Sequence, residues 1–373
     1  MGRPVSRRTG IAAAAAPPAL AVLAVFAALL APLARPAAAQ LVVASESGDT
    51  TFRLGTIDQL QAESTTNTDG SHADNLFFRR VRLLGAFTSG NLSVFFQTDS
   101  GTLGKGNADG SKQSANTVFF QDFTVTYGFA KEFQLDGGLI RLAPNYDHNI
   151  SANSTMALDI SPYAYIESTA LTGLNGRDYG VQARGYLDDH LEYRFGAFQG
   201  LRGKEDVNSF RYSGRLAWYF FGPEEGLVYR GTSLGTLQTL AIGTGYDAQK
   251  SYKNYNVDLY WDQPLNGGDG LTLQLDQSWY NRNDFIPALP QQQTRVAEVG
   301  YYFGAIKLLP FFQFTQEKYA AFVPLPSEKR FQVGAGYYFH GYNSNLKLAV
   351  TRIDRDGVRE LNDLVLQYQF YVF

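Results

Sequence analysis

Charged side chains recur at every second position of several apolar segments, which is the spacing of residues on one face of a β-strand. In "EYRF", Glu192 and Arg194 alternate with aromatic residues, and in "NYNVDLYWD" Asp258 stands between Val257 and Leu259. Charged groups aligned on one face can pair with each other or attract charged solutes. The residues on this predicted polar face are Arg53, Arg80, Arg82, Asp122, Arg184, Glu192, Arg194, Arg211, Arg215, Asp258, Asp276 and Glu298.

These charges are unevenly distributed along the chain. Arginines predominate at the polar positions of residues 177–215, and carboxylates predominate in residues 255–298. If the two stretches formed opposite walls of a water-filled space, they would produce a transverse electric field that orients polar solutes. The alternative is that each charge pairs with a neighbouring strand and braces the wall.

The sequence indicates neither catalysis nor metal binding. The four histidines, His72, His148, His190 and His340, lie in predicted loops or turns or at a strand end, and none belongs to a nucleophile–base motif. The turns "GNADG" and "DRDG" offer oxygen atoms beside a glycine but lack a complete set of calcium ligands. The absence of cysteine excludes thiolate metal sites. We therefore predict no enzyme, no cofactor and no metal site.

The elements that carry these charges are predicted to be β-strands. "GLTLQLDQSWY" (Gly270–Tyr280) alternates apolar and polar residues with a period of two, as do "FFQDFTVTY" and "LEYRFGAF", and no comparable helical periodicity follows residue 39. Sixteen such segments can be counted between residues 51 and 373. Abundant Gly, Tyr and Phe with a slightly negative mean hydropathy suit strands that face two different media.

The connections between these segments alternate in length. Odd-numbered connections such as "QAESTTNTDGSHADN" and "DSGTLGKGNADGSKQSAN" are mostly long and polar, whereas even-numbered ones such as "TSGN" and "LDDH" are short, and Phe221–Thr236 is an unexplained exception. Short turns at the end that holds both termini are typical of an outer-membrane barrel. A soluble β-sandwich of the same strands would leave two large sheets with open edges. We therefore predict an all-β fold, a transmembrane antiparallel β-barrel of 16 strands.

The first 39 residues are predicted to be a signal peptide. Basic residues precede a long apolar run that ends in "ARPAAAQ", with a small-x-small site before Gln40. The alternative is an uncleaved membrane anchor. Without the four arginines of this segment, the barrel domain of residues 40–373 carries 28 basic and 35 acidic residues, which argues against a nucleic-acid partner. The sequence thus predicts export to the bacterial outer membrane, with its lipid as a partner.

The chain ends on an alternating segment, "LNDLVLQYQFYVF" (Leu361–Phe373), instead of a polar tail. This strand is expected to pair with the first one and close the barrel. A terminal aromatic residue also resembles the signal that the barrel-assembly machinery recognises. Phe373 has the parity of the polar residues Gln367 and Gln369. Either a bulge near Tyr371 shifts the register, or the terminal ring does not face lipid.

The connection of residues 142–176 lacks period-two alternation and carries more apolar side chains than a solvated loop. Folding into the barrel mouth would bury these side chains and narrow the lumen, so we predict an inward-folded constriction loop. Its carboxylates would then face the arginine-rich wall. The predicted functional residues of this loop are Asp147, Asp159, Tyr163 and Glu167.

Two stretches resemble the phosphate-selective porin O and P family of outer-membrane porins. "NLFFRRVRLLGAFTSGNLSVFFQTD" is similar to the arginine-rich second and third strands of that family, and "GRDYGVQARGYLDDHLEYRFGAFQG" to the stretch after its constriction loop. The resemblance implies a sixteen-stranded porin that assembles as a homotrimer, with Arg80, Arg82 and Arg184 at positions that match the family pattern. The family's constriction loop is basic, whereas residues 142–176 contain no Lys and no Arg.

The sequence therefore predicts a porin, which is a water-filled channel for passive diffusion of ions and small polar solutes, with anions such as phosphate among them. The alternative is a barrel that acts mainly as a surface-binding or structural protein. Because loop carboxylates would partly cancel the wall arginines, we expect weak ion selectivity and no saturable phosphate site. Replacing Arg211 and Arg215 with Ala is expected to move the reversal potential toward cations.

Overall fold

The computed structural model describes residues 40–106, 111–113, 118–171, 173–203 and 208–373. The predicted signal peptide and the turn Asn107–Gly110 lie outside these residues. Within them, sixteen strands form one antiparallel sheet that closes on itself, so the predicted 16-stranded barrel is confirmed. The barrel strands are β2 (Thr50–Thr66), β3 (His72–Ser89), β4 (Leu92–Asp99), β5 (Phe119–Ala130), β6 (Phe133–Arg141), β7 (Arg177–Leu187), β8 (Leu191–Phe198), β9 (Arg211–Tyr219), β10 (Thr239–Gln249), β11 (Tyr252–Pro264), β12 (Gly270–Tyr280), β13 (Gln292–Tyr302), β14 (Leu308–Tyr319), β15 (Glu328–Tyr342), β16 (Ser344–Arg355) and β17 (Leu361–Val372).

The barrel closes between its first and last strands. β17 pairs with β2 in one continuous register that runs to Val372 opposite Thr56. A short extra strand, β1 (Leu41–Ala44), pairs with the part of β2 that lies beyond this point, with Leu41 opposite Leu54. The edge of β2 is therefore covered along its length, which leaves few backbone groups unpaired at the seam.

Alternation along each strand separates two faces. In β12, Gln274, Asp276 and Ser278 are buried inside the barrel, whereas Leu275 and Trp279 are exposed on its outer surface. The other strands repeat this arrangement, so large apolar side chains form an outer band and polar side chains fill the interior. This is the distribution that strands between lipid and a polar lumen require.

The two ends of the barrel differ as predicted, with one correction. Residues 100–118 and 142–176 form long connections at one end, and residues 90–91 and 131–132 form tight turns at the other. The prediction of a long first connection is wrong, because β2 and β3 extend to leave only residues 67–71 between them. Its Thr-rich sequence favours strand structure.

Helical structure is scarce and lies in the connections. A single-turn α-helix, α1 (Ile166–Leu171), and a 3₁₀ turn (Asp147–Asn149) belong to the connection of residues 142–176, and a second 3₁₀ turn (Asn266–Gly268) joins β11 to β12. Among the described residues, no helix has the length and apolar character needed to cross a membrane.

A β-bulge interrupts the pairing of β2 with β3. Gln59 pairs with Arg80 and Leu60 with Phe78, so Arg79 has no partner across the strand pair. The bulge reverses the facing of every β3 residue that precedes it. Phe77 is therefore buried inside, whereas strict alternation with Arg80 and Arg82 as inward residues predicts that it faces lipid, and that prediction is wrong.

The terminal ring lies on the inner face. The pairs of β17 with β16 and β2 show no register shift near Tyr371. Phe373 makes an edge-to-face contact with Phe95 at 6.0 Å between ring centroids, and the guanidinium of Arg53 lies 5.1 Å from the centre of the Phe373 ring. Of the two alternatives that the sequence left open, the structure shows the inward ring.

Candidate functional site

The connection of residues 142–176, hereafter the inner loop, crosses the barrel from wall to wall. A Cβ on Gly245 of β10 would lie 2.1 Å from the carbonyl oxygen of Pro144, so only glycine admits the loop there. Gln59 of β2 donates a hydrogen bond to the Ala152 carbonyl at 3.1 Å, and Gln369 of β17 donates to the Asn153 carbonyl at 2.9 Å. β10 lies opposite β2 and β17 in the sheet order.

The tip of the inner loop is packed on the far wall. Met156 and Leu158 belong to an apolar cluster with Leu309 and Phe311 of β14. Gly300 of β13 lies beneath Met156, because a Cβ there would meet its sulfur at 2.4 Å. This cluster explains why β14 is apolar on both faces near its start.

A buried lysine holds the same tip. The Nζ of Lys347 donates hydrogen bonds to the carbonyl oxygens of Thr155 at 2.5 Å and Ala157 at 2.8 Å. Each carbonyl would otherwise be buried without a backbone partner, so the lysine fixes the local path of the loop.

Asp159 of the inner loop bonds two adjacent arginines of β3. Its carboxylate oxygens lie 2.6 Å from Nη2 of Arg79 and 2.5 Å from Nη2 of Arg80. Neighbouring residues of a regular strand project to opposite faces, and the bulge at Arg79 removes this obstacle. Burial alone would raise the pKa of Asp159, but the two guanidinium groups outweigh it and hold the pKa below its usual range.

The other predicted loop residues have separate partners. The Tyr163 hydroxyl donates to Glu328 Oε1 at 2.7 Å, and Glu167 Oε2 accepts from the Tyr280 hydroxyl at 3.0 Å. The backbone N–H of Asp147 donates to a carboxylate oxygen of Asp276 at 3.2 Å. The carboxylates therefore do not line up against one arginine wall as predicted.

Only one loop carboxylate approaches that wall. Glu167 lies 3.9 Å from Nη2 of Arg211 and 3.3 Å from Nδ1 of His148. Asp159 instead finds its partners on β3, because the bulge places two arginines within its reach.

The exceptionally long connection of residues 220–238, hereafter the second inward connection, also enters the lumen, from the turn end. Tyr229 is fully buried and forms a parallel bridge with Ile150 of the inner loop. The ring of Tyr146 is stacked between Tyr229, at 4.6 Å, and Tyr260 of β11, at 4.1 Å. The two inward segments thus pack together and fill the side of the lumen bounded by β8 to β12.

The wall arginines on this filled side are paired with carboxylates. Arg211 makes two hydrogen bonds to Asp247 at 2.7 and 2.5 Å, and Arg215 makes two to Asp258, one of them at 2.7 Å. The corresponding pairs of the other wall arginines are Arg184 with Asp136 at 2.8 Å and Arg194 with Glu192 at 2.6 Å. These side chains are buried, so they brace the wall, as in the alternative that the sequence left open.

The predicted acidic residues are divided between the filled side and the open side. Asp276 accepts hydrogen bonds from Gln274 at 2.7 Å and from the inner loop, and Glu298 accepts one from Gln313 at 2.5 Å. Asp122, on β5, instead bonds Arg177 at 3.1 and 3.2 Å. The inward charges therefore form local pairs and small clusters instead of two opposed walls.

An open cavity of about 640 Å³ remains between the inner loop and the opposite part of the wall. It reaches the loop end of the barrel at Gly101 and Thr102. Its lining includes the arginines Arg79, Arg80, Arg82, Arg141, Arg177 and Arg330, and the carboxylates of Asp99, Asp159 and Asp363. Basic groups thus outnumber acidic groups along this cavity, hereafter the upper cavity.

A second cavity of about 230 Å³, hereafter the lower cavity, continues toward the turn end as far as Phe373. Both cavities are lined by Arg82, Arg141 and Ala152, so these residues surround their junction. The two cavities together extend along one side of the inner loop, from the long connections toward the turns. The guanidinium groups of Arg82 and Arg141 lie where the two cavities meet.

Arg141 differs from the other arginines of the upper cavity. Arg82 bonds Asp99 at 2.8 Å, and Arg330 bonds Glu328 at 2.6 Å. Arg141 donates to the Ile150 carbonyl at 2.8 Å, its Nε has no hydrogen-bond partner, and no ion pair joins it to a carboxylate of the described residues. The junction of the two cavities therefore holds an uncompensated positive charge.

Several of these residues are not predicted by the alternation of the sequence. Arg79 is hidden by the bulge, because strict alternation assigns it to the lipid face. Arg141 and Arg177 end the strands on either side of the inner loop and are paired across β6 and β7. Two arginines that bracket a long inward connection are a signal that could have been used.

The fold is similar to those of known proteins, although the sequence is not. No protein-family description matches the chain, and no curated protein sequence matches it either. Among solved structures, the anion-selective porin from Comamonas acidovorans is similar with a TM-score of 0.60 at 13% identity, over 86% of this chain and 99% of that one.

Two further structures have the same architecture. OmpF of Salmonella typhi in complex with daunomycin is similar with a TM-score of 0.58 at 17% identity, over 88% of this chain and 100% of that one. The outer membrane channel DcaP of Acinetobacter baumannii is similar with a TM-score of 0.56 at 11% identity, over 88% and 99%. The chain thus shares the fold of outer-membrane porins, and the resemblance to the phosphate-selective O and P family remains an interpretation.

Proposed function

We propose that this protein is an outer-membrane porin, a channel for passive diffusion of small solutes that favours anions. The observation that carries the proposal is the open path beside the inner loop, whose junction holds Arg141 without a carboxylate partner. In this proposal, the inner loop acts as the constriction loop, with Asp147, Asp159, Tyr163 and Glu167 fixing its position.

Electrostatics supports a preference for anions. Arg141 and Arg177 lie directly opposite each other on neighbouring strands, and like charges in this arrangement repel. Asp122 compensates one of them. A passing anion relieves the remaining positive charge, whereas a cation is repelled by it where the two cavities meet. Charges within a Debye length of about 8 Å act on a permeating ion despite physiological salt.

This proposal revises the expected weak selectivity. That expectation placed Asp147 and Asp159 against Arg184, Arg194, Arg211 and Arg215, whereas each of these arginines is paired with another carboxylate, and of the four only Arg194 borders either cavity. The pore-lining role therefore passes to Arg80, Arg82 and Asp122, together with Arg79, Arg141 and Arg177. Arg53 is proposed to line the mouth at the turn end, where it stacks on Phe373.

The proposed porin function also implies a cellular location and an oligomeric state. The apolar outer band requires lipid, and the sharing of fold with outer-membrane proteins supports the outer membrane as the location, reached by a signal peptide cleaved near Ala39. One structure of the same architecture, OmpT of Vibrio cholerae, is described as a trimer form, with a TM-score of 0.50 at 9% identity. We propose a homotrimer here as well, and recognition of Phe373 by the assembly machinery.

Planar lipid bilayers test the channel. Folded protein, identified by its heat-modifiable migration in gels, is expected to give discrete conductance steps. In a potassium chloride gradient, the reversal potential is expected to lie closer to the equilibrium potential of chloride than to that of potassium. Folded protein that produces no steps would contradict the proposal and favour a surface-binding or structural barrel. Conductance steps with a reversal potential closer to the equilibrium potential of potassium would contradict only the anion preference.

A further inference from the structure

The lower cavity has an unusual lining for the inside of a polar barrel. Lumen-facing positions of such barrels are generally polar. Here Ile57 of β2, Leu84 of β3 and Phe95 of β4 are joined by Leu227 and Val228 of the second inward connection. The Phe373 ring closes the apolar part of this lining. Polar side chains, among them Gln97, Gln182, Arg194 and the Asp122 carboxylate that Arg177 binds, line the rest of the cavity, so an apolar patch lies beside polar groups.

The apolar lining lies directly below the unpaired arginine. Arg82 and Arg141 border the lower cavity as well as the upper one, and the Nε atoms of both lack hydrogen-bond partners. A small site that combines a mainly apolar wall with a few placed polar groups is the usual design of a ligand pocket. The charged end of a ligand would meet the guanidinium groups while its hydrocarbon part occupies the lower cavity.

We propose that this two-part site selects organic monoanions that carry a ring or a short branched chain, such as aromatic monocarboxylates, over small inorganic anions. The inference rests on the proposed channel function and specifies its substrate class. The carboxylate would be bound by Arg141 and Arg82, and the hydrocarbon part by Leu84, Ile57 and Phe95.

The volume of the site is sufficient for a ring compound. An apolar protein cavity of about 150 Å³ holds benzene. The lower cavity, at about 230 Å³, therefore accommodates one six-membered ring with its substituent. Phe95 and Phe373 present two rings at the wall, against which an aromatic solute can pack edge-to-face.

Block of chloride current in planar bilayers tests the inference with three probes. Benzoate carries both ring and charge, acetate carries only the charge, and benzyl alcohol carries only the ring. Burial of the ring is expected to make the half-blocking concentration of benzoate at least about tenfold lower than that of acetate. Benzyl alcohol is expected to block weakly, because it lacks the carboxylate.

Variants assign the effect to the lower cavity. Leu84→Thr is expected to raise the half-blocking concentration of benzoate by about three- to tenfold while leaving that of acetate nearly unchanged. Ile57→Thr serves as a second variant if the first does not fold. Val296→Thr is the matched control, because Val296 is also buried on the inner face but lines neither cavity, and it is expected to keep the wild-type ratio.

Each contrary result has a defined meaning. Equal block by benzoate and acetate in a conducting channel would overturn the inference and leave the channel function standing. Block by benzyl alcohol as strong as that by benzoate would overturn the role of the arginines. A benzoate preference that survives both cavity variants would overturn the assignment to this cavity. Absence of conductance would instead remove the proposed function itself.

Discussion

Arg141 and Arg177 lie directly opposite each other on β6 and β7, at the two ends of the inner loop, yet their environments differ. Arg177 is bound by Asp122 through two hydrogen bonds, whereas Arg141 donates to the backbone carbonyl of Ile150. The strand register thus places two positive charges beside each other in the lumen. Asp122 neutralises the charge of Arg177, and no carboxylate of the described residues is paired with Arg141. This asymmetry is the basis of the proposed anion preference.

Arg141→Gln is expected to shift the reversal potential toward cations. One unit charge about 5 Å from a permeating ion in water-like surroundings changes its energy by about 0.8 kcal/mol, with opposite sign for chloride and potassium, so their permeability ratio should fall about four- to fifteenfold, the lower figure applying when salt screens the charge. Reversal potentials in a salt gradient measure this ratio. Arg184→Gln is the matched control, because Arg184 lines neither cavity, and an equal shift in that variant would contradict the local role of Arg141.

Asp159→Asn is expected to act in the opposite direction. The substitution removes one negative charge from the upper cavity and releases Arg79 and Arg80 from their shared partner. The reversal potential should therefore move further toward chloride. A shift toward potassium would show that the loop has moved and that Asp159 acts mainly as an anchor.

Arg215→Ala is expected to affect stability more than selectivity. The guanidinium of Arg215 and the carboxylate of Asp258 are both fully buried, so removing one partner leaves an uncompensated charge and costs about 3–5 kcal/mol. The temperature at which the folded band disappears from gels should fall. The double variant Arg215→Ala/Asp258→Ala should recover part of the loss, and an unchanged melting temperature in the single variant would contradict the bracing role.

Lys347→Met is expected to loosen the tip of the inner loop. The substitution keeps the length of the side chain but removes the donor that binds the carbonyls of Thr155 and Ala157. Two buried acceptors without partners cost about 1–3 kcal/mol each, so the tip should sample other positions. Single-channel recordings should show more frequent conductance fluctuations, and a record as quiet as that of the wild type would contradict this role.

The seating of the second inward connection is expected to depend on pH through Glu224. Burial raises the pKa of Glu224 to about 7, against the opposing effect of Arg230. Since the folded state holds the proton more tightly than the unfolded state, stability falls as the pH rises from about 4.5 to about 7 and is level above that.

Glu224→Gln tests this pH dependence. The variant should melt at a higher temperature than the wild type at pH 8, by roughly 1–3 kcal/mol of stability, and the difference should vanish near pH 4. Melting followed by gel migration across this range provides the measurement. A constant difference at all pH values would mean that the effect does not arise from protonation of Glu224.

The sequence by itself determined the barrel. Period-two alternation, as in Gly270–Tyr280, is a local property of the strand, and it fixes which side chains face lipid once closure is required. Alternation also placed Arg82, Asp122 and Arg211 inside without any knowledge of their partners. The apolar residues of the inner loop predicted its burial, because a solvated loop cannot carry them.

Only the tertiary structure decided which inward charges face an open path. One unpaired residue, Arg79, shifts the facing of β3, and no local signal marks a bulge that depends on pairing with β2. The connection of residues 220–238 enters the lumen because Tyr146 and Tyr260 offer it a stacking surface from distant parts of the chain. Its entry fills the side of the barrel where Arg211 and Arg215 are paired with Asp247 and Asp258 of neighbouring strands, and the open cavities lie on the side of Arg141. Such long-range packing is not encoded in the spacing of neighbouring residues.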